Sequence, residues 1–135
     1  MFGLFKKKKE IIIKDFVWKN DTIKYDALVK QLKQQEKFIL IYYFEDTKQN
    51  IETILTNEAI SFSTTSSIAA KVWLMKSDTI LHKLSLDNRE IIFAEHHPSF
   101  TEEQNITTHL SEQLAITEIS FYISFEDELL KLFGA

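Results

Sequence analysis

The chain has 135 residues, a length that fits one domain, and its residues are 44% hydrophobic and 27% charged. This composition excludes a disordered chain, and the lack of cysteine excludes disulfides, thiolate nucleophiles and thiolate zinc sites. The net charge is −4, and setting aside four consecutive lysines leaves −8 on the remainder, which disfavours general nucleic-acid binding.

Residues 1–14 (MFGLFKKKKEIIIK) are interpreted as a basic N-terminal tip, and residues 15–135 as a single domain. Beside its apolar residues, the tip carries four lysines in a row: Lys6, Lys7, Lys8 and Lys9. Such a cluster can contact an anionic membrane surface, but a solvated terminus is the favoured interpretation. The three isoleucines at 11–13 are expected to begin the ordered fold as a short edge element. Without a long apolar run or a signal-peptide h-region, the chain is expected to be a soluble cytoplasmic protein.

Helical and strand patterns then alternate along the chain. With Asn20 or Asp21 as the N-cap, apolar spacing predicts a helix over 21–35, and the run FILIYYF predicts a doubly buried strand over 38–44. Three further helices are predicted, over residues 47–57, 99–114 and 126–133. Four further strands are predicted, over residues 60–63, 71–76, 90–94 and 119–125. This alternation is typical of an α/β domain on a mostly parallel sheet, in which ligands bind at the carboxyl ends of the strands.

Acidic residues and histidines stand at these predicted strand ends. His96 and His97 follow Glu95 and precede Glu102, a combination of histidines and carboxylates that could form a metal site. Adjacent residues leaving a strand point to opposite sides, and no H-x-x-x-H spacing exists. We therefore expect no metal site, with one of the two histidines hydrogen-bonded and the other exposed.

Familiar catalytic motifs are missing from the sequence. No G-x-S-x-G elbow holds a serine, and the acids at 126–128 fit the first turn of a helix. Glycine occurs only at Gly3 and Gly134, so no Walker A loop can be formed. The residues by themselves predict no catalytic residue and no cofactor.

The run SFYISFEDELLKLFG, residues 120–134, resembles a segment of the SecA preprotein translocase motor that reads approximately RFYLSLEDDLMRLFG. Glu95-His96-His97 falls where that family has Glu-Arg-His, and DFVWKNDTIKYDALVKQL, residues 15–32, resembles the family's entry into the same domain. FILIYYFEDTKQNIETIL matches the family's first strand and helix in position and length. The resemblance spans about residues 15–134. It implies a three-layer RecA-like fold of the P-loop NTPase type, similar to the second motor domain of helicase-type ATPases.

The nucleotide-contacting pattern of that family is not kept. Its arginines lie in Q-L-R-G-R-S-G-R-Q-G, whereas residues 105–114 here read NITTHLSEQL, with Glu112 at the position of the arginine finger. A glutamate there would repel the phosphoryl charge that an arginine stabilises. The family's T-N-M-A-G-R-G-T-D is also absent, since the corresponding region reads WLMKSDTIL. The resemblance thus implies a vestigial nucleotide face without hydrolysis, formed by Glu95, His97, Thr107, His109 and Glu112.

Two functions follow as hypotheses. The first is a non-catalytic, SecA-like interaction or regulatory module that docks on a protein partner, with the translocase motor or channel as the candidate. The second is a small-molecule-binding protein or minor enzyme with a new site at the strand ends, with a histidine as general base. Its candidate residues are Asp46, Glu95, His96 and His97. The eleven phenylalanines also leave a homodimer open.

Overall fold

Parallel strands in the order β1-β6-β5-β2-β4-β3 form one sheet in this computed structural model, which describes residues 11–34, 37–82 and 85–127. The strands are β1 (Ile12–Trp18), β2 (Phe38–Tyr42), β3 (Phe62–Ser63), β4 (Val72–Lys76), β5 (Glu90–Phe93) and β6 (Glu118–Ser124). The helices are α1 (Asp21–Gln34), α2 (Glu45–Asn57), α3 (Ser77–Ile80) and α4 (Phe100–Glu112).

The helices cover the sheet on both sides, and this produces two apolar cores. Alternate residues of the central strands pack against α1 and α2 on one face, where Leu28 and Leu55 are buried. The other residues of the same strands pack against α3 and α4, where Ile106 and Leu110 are buried. The sequence prediction of a three-layer α/β domain is therefore confirmed, and every pairing among the described strands is parallel.

Capping residues begin two of the helices where the sequence predicts them. The Asn20 side-chain oxygen accepts a hydrogen bond from the Ile23 amide at 3.0 Å, and Ser99 Oγ accepts one from the Glu102 amide at 3.3 Å. The predicted strand over 38–44 ends earlier, at Tyr42, and α2 begins at Glu45 rather than at residue 47. The reason for this difference is a buried glutamate described below.

The first strand is longer than predicted and forms one edge of the sheet. It starts at Ile12, inside the segment interpreted as the tip, and pairs with β6 through Trp18. The lysines at 6–9 and their suggested membrane contact lie outside the described residues, as does all of the helix predicted over 126–133 except its first two residues. No helix in the described ranges has the length and apolar character needed to cross a membrane.

Candidate functional site

The loops that follow β2, β5 and β6 meet at the carboxyl edge of the sheet, because these three strands are neighbours there. The residues that follow β5 and β6 enclose, with the starts of α1 and α2, a cavity of about 260 Å³ whose lining is mainly polar. Five of the lining side chains are carboxylic acids: Asp21, Asp46, Glu95, Glu126 and Asp127. This edge of the sheet therefore presents a concentration of negative charge.

Glu95 is buried at the amino end of α2 and is fixed there by three hydrogen bonds. Its Oε2 accepts from the amides of Tyr43 and Phe44 at 2.8 and 3.0 Å, and its Oε1 accepts from the Thr47 hydroxyl at 2.5 Å. Burial raises the pKa of Glu95, and the three hydrogen bonds act in the opposite direction. Phe44 is the N-cap of α2 and offers no side-chain acceptor, so the carboxylate of Glu95 supplies the negative charge that a helix start favours.

The same contacts explain why β2 ends at Tyr42. The amides of the next two residues point to the Glu95 carboxylate instead of continuing the ladder, and the chain turns directly into α2. Glu95 is therefore a structural residue that joins the end of β5 to the start of α2.

His97 is likewise held by the fold. Its Nδ1 accepts from the Ser99 amide at 2.8 Å, and its own amide donates to Glu103 Oε2 at 2.9 Å. The ring stacks on Phe44 with 5.6 Å between centroids and meets the edge of Tyr43 at 5.0 Å. His97 and Glu95 thus lie together around the turn between β2 and α2.

His96 points to the other side of the loop, as the alternation at a strand end predicts. Its Nδ1 lies 2.7 Å from Glu103 Oε1, its Nε2 lies 2.8 Å from Asp15 Oδ1, and its ring stacks on Phe121. The expectation that one histidine of this pair is exposed is wrong, because both rings are partly buried and both are hydrogen-bonded.

The remaining residues of the implied vestigial face lie farther along α4. Thr107 is buried, and its hydroxyl donates to the Gln104 carbonyl within the helix at 3.1 Å. His109 is partly buried, and Glu112 is exposed at the last residue of α4. With a rise of about 1.5 Å per residue, Glu112 stands roughly 18 Å along the axis from the start of the helix. The structure brings Glu95 and His97 together around one turn, whereas Glu112 lies at the far end of α4.

The carboxyl edge also contains a buried ion pair that was not predicted from the sequence. Lys24 Nζ lies 2.7 Å from Asp127 Oδ1, and the two side chains are only 1% and 7% exposed. Asp127 also accepts from the Ser124 amide at 3.0 Å. The available signal was the spacing of Lys24, Leu28 and Leu32, which puts a lysine on the buried stripe of α1 and so requires a buried acidic partner.

The one arginine of the sequence lies at the opposite end of the sheet. Arg89 is buried just before β5, where Nη1 donates to the carbonyls of Phe38 and Lys71 at 3.4 and 3.0 Å. Nη2 donates to the Ile68 carbonyl at 3.4 Å, and the guanidinium lies 4.1 Å above the Trp73 ring. This arginine fixes the loop before β4 and is remote from the carboxyl edge.

The carboxyl edge consequently has the electrostatics of an anion-repelling surface. Five carboxyl groups line its cavity, and Lys24 beneath it is already paired with Asp127. Within residues 11–34, 37–82 and 85–127, no group of three or more histidine, aspartate or glutamate side chains is arranged to hold a metal ion. Among the side chains that the structure describes at this edge, phosphate groups would meet carboxylates, and the one buried cation, Lys24, is paired.

Comparison with known proteins finds a similar fold among solved structures. No protein-family model matches the chain, and no curated protein sequence matches it. The crystal structure of the C-terminal part of the Fun30 ATPase domain superposes with a TM-score of 0.59 and 16% sequence identity. The match covers 82% of this chain and 44% of that one, so this chain spans less than half of that neighbour's length. With its wholly parallel sheet between two helical layers, the domain has the RecA-like fold of the helicase C-terminal type.

Proposed function

We propose that this chain is a non-catalytic, SecA-like motor domain that works by binding a protein partner. The observation that carries the proposal is the placement of its charges. The only arginine is used inside the fold, and the carboxyl edge, where α/β domains bind ligands, is lined by carboxyl groups.

Phosphoryl transfer depends on cations that stabilise charge on the transferring group. Glu112 stands at the position of the finger arginine in the SecA-like alignment and is exposed on α4. Since a carboxylate there repels phosphate oxygens, the proposal includes loss of hydrolysis along with loss of nucleotide binding. A domain that keeps its fold while losing this apparatus retains surfaces on which another protein can dock.

Exposed aromatic residues support a protein partner. Phe100 at the start of α4 is 75% exposed, and Phe125 directly after β6 is 63% exposed. Large aromatic side chains are enriched in protein interfaces, where they fill pockets of the partner. The SecA resemblance makes the preprotein translocase motor or its channel the candidate partner.

The alternative of a small-molecule site at residues 95–97 receives less support. Glu95 and His97 would have to be free to contact a substrate, yet both are engaged in hydrogen bonds that shape the turn into α2 and the start of α4. Using either for catalysis would disconnect β5 from α2 or α4. The partner-binding function requires no such rearrangement.

Affinity co-purification of the tagged chain from its own cells, followed by mass spectrometry, tests the proposal. We expect a stoichiometric protein partner that is lost when Phe100→Ala and Phe125→Ala are combined. Ile68→Ala is the matched control, since Ile68 is 75% exposed in the loop at the opposite end of the sheet. Recovery of only a second copy of the chain would instead support a homodimer, and recovery of no specific protein would contradict the interaction module.

A further inference from the structure

His96 connects three separate elements of the domain. It lies in the loop between β5 and α4, with Nδ1 against Glu103 of α4 at 2.7 Å and Nε2 against Asp15 of β1 at 2.8 Å. Its ring is parallel to Phe121 of β6, with 4.0 Å between centroids and 12° between planes. The imidazole therefore lies on the sheet and joins the edge strand to the helical layer.

The two carboxylate contacts specify a protonation state. An ionised carboxylate accepts hydrogen bonds and donates none, so each ring nitrogen facing one must carry a hydrogen. Only the imidazolium has hydrogens on both nitrogens. The charge of that cation is then balanced by Asp15 and Glu103, in two hydrogen bonds of the stronger, charge-assisted kind.

The other described titratable groups on β1 and in the loop face elsewhere. On β1, Lys14 lies on the opposite face of the sheet and pairs with Glu118 of β6 at 2.6 Å. Within the loop, Glu95 is turned to the start of α2, and the ring nitrogen Nδ1 of His97 faces the Ser99 amide. On the face that His96 touches, β6 presents the apolar ring stacked on the imidazole.

We propose that protonated His96 is a pH-sensitive latch that holds edge strand β1 to α4, and that its deprotonation releases Asp15 while keeping Glu103. A neutral imidazole can donate to one carboxylate only, so one of the two bonds must be lost. Glu103 is 18% exposed and is fixed by the amide of His97 through its other oxygen. Asp15 is 51% exposed, so water replaces the histidine there at little cost.

The direction of the pH effect follows from the pKa of His96. Burial of the imidazole lowers this pKa, but the hydrogen bonds and charges of Glu103 and Asp15 outweigh burial and raise it above the ordinary value. A folded-state pKa that is raised gives stability that is fully present below the unfolded-state value of about 6.5 and is lost as the pH rises through the folded-state value. The latch is therefore closed in acid and opens toward alkaline pH.

The test is a histidine titration by NMR together with hydrogen exchange of the backbone amides, both on the full chain between pH 5 and 9. We expect His96 to titrate above about 6.5, and the protection factors of the β1 amides that bond to β6 to fall by roughly three- to tenfold across that titration. Amides pairing β2 with β4 serve as the internal control and should keep their protection factors.

Asp15→Asn is the variant that isolates the latch, because Asp15 is half-exposed and the substitution preserves its shape. In this variant His96 should titrate at lower pH, and protection of β1 should no longer depend on the titration. Lys14→Gln, which removes a charge of the neighbouring ion pair on the other face, should leave both observations unchanged. The proposal is overturned if His96 titrates at or below about 6.5, or if β1 in Asp15→Asn loses protection as it does in the unmodified chain.

Discussion

At the scale of single residues, the buried charged side chains of the domain hold its helices and strands together. Lys24 of α1 forms an ion pair with Asp127, which follows β6. Glu95, which follows β5, accepts hydrogen bonds at the start of α2. Arg89 donates hydrogen bonds to backbone carbonyls at the amino ends of the strands. A buried charge is costly unless it is paired or hydrogen-bonded, and each of these three is. None of them is left free for a substrate.

Removing one member of the buried pair should be far more damaging than removing a surface pair. Lys24→Met leaves the Asp127 carboxylate buried without its partner, and we expect the free energy of unfolding to fall by about 3–5 kcal/mol. Lys33→Met is the matched control on the same helix, since Lys33 is 54% exposed and pairs with Glu58 at 2.9 Å. Lys33→Met should lower the free energy of unfolding by less than about 1 kcal/mol. Urea denaturation of both variants measures the two values.

The double variant Lys24→Met with Asp127→Asn distinguishes two causes of the lost stability. One is the loss of the attraction between the two side chains, and the other is the Asp127 carboxylate left buried without a partner, a stranded charge. If the stranded carboxylate causes most of the damage, removing it should recover a large part of the stability lost in Lys24→Met. A double variant as unstable as the single one would contradict this account.

Such contacts could be predicted from the sequence only in part. The spacing of Lys24 with Leu28 marks a lysine on a buried stripe, but its partner is 103 residues away and no local pattern points to it. The resemblance to SecA identified Glu95 and His97 as a pair at a strand end, and they do lie together. Their engagement with α2 and α4 depends on contacts across the sheet that the sequence does not show.

At the scale of elements, the apolar periodicity predicted the main strands and helices because those elements are long enough to show a period. The single-turn helix α3 (Ser77–Ile80) was missed, since four residues cannot display helical spacing. The edge strand β1 was foreseen only at its first residues, because an exposed strand lacks the alternation between buried and exposed side chains. Local rules thus succeed where an element is amphipathic or doubly buried, and fail at the edge of the sheet.

The two larger helices after β2 and β5 begin in different ways, and this leads to a prediction. The start of α4 depends on its own cap, Ser99, whereas the start of α2 depends on Glu95 from another strand. Ser99→Ala should lower the free energy of unfolding by about 1 kcal/mol, because the Glu102 amide loses its acceptor. Ser99→Asp retains an acceptor and should be near the unmodified chain in the same urea measurement. Equal losses in both variants would show that the cap bond itself contributes nothing.

At the scale of the whole molecule, the arrangement of charge is the basis of the proposal that this domain does not hydrolyse a nucleotide. The fold is kept, as the superposition on the C-terminal part of the Fun30 ATPase domain shows, but it is a fold that serves many functions. Cations at the carboxyl edge are what nucleotide chemistry requires. Here carboxyl groups line that edge, Arg89 lies at the opposite end of the sheet, and Lys24 forms an ion pair with Asp127.

This arrangement predicts that nucleotides leave the thermal stability of the domain unchanged. A ligand present at 100 times its Kd stabilises a protein by about 2.7 kcal/mol, so a site with a Kd of about 10 μM would raise Tm by several degrees at about 1 mM nucleotide. We expect no rise in Tm with ATP or ADP and magnesium. Introducing the arginines of the SecA pattern by Thr107→Arg, His109→Arg and Glu112→Arg should still give no rise in Tm, because the carboxyl groups at the edge remain. A saturable rise in the unmodified chain would contradict the loss of nucleotide binding, whereas a rise only in the arginine variant would place the loss in α4 and not at the acidic edge.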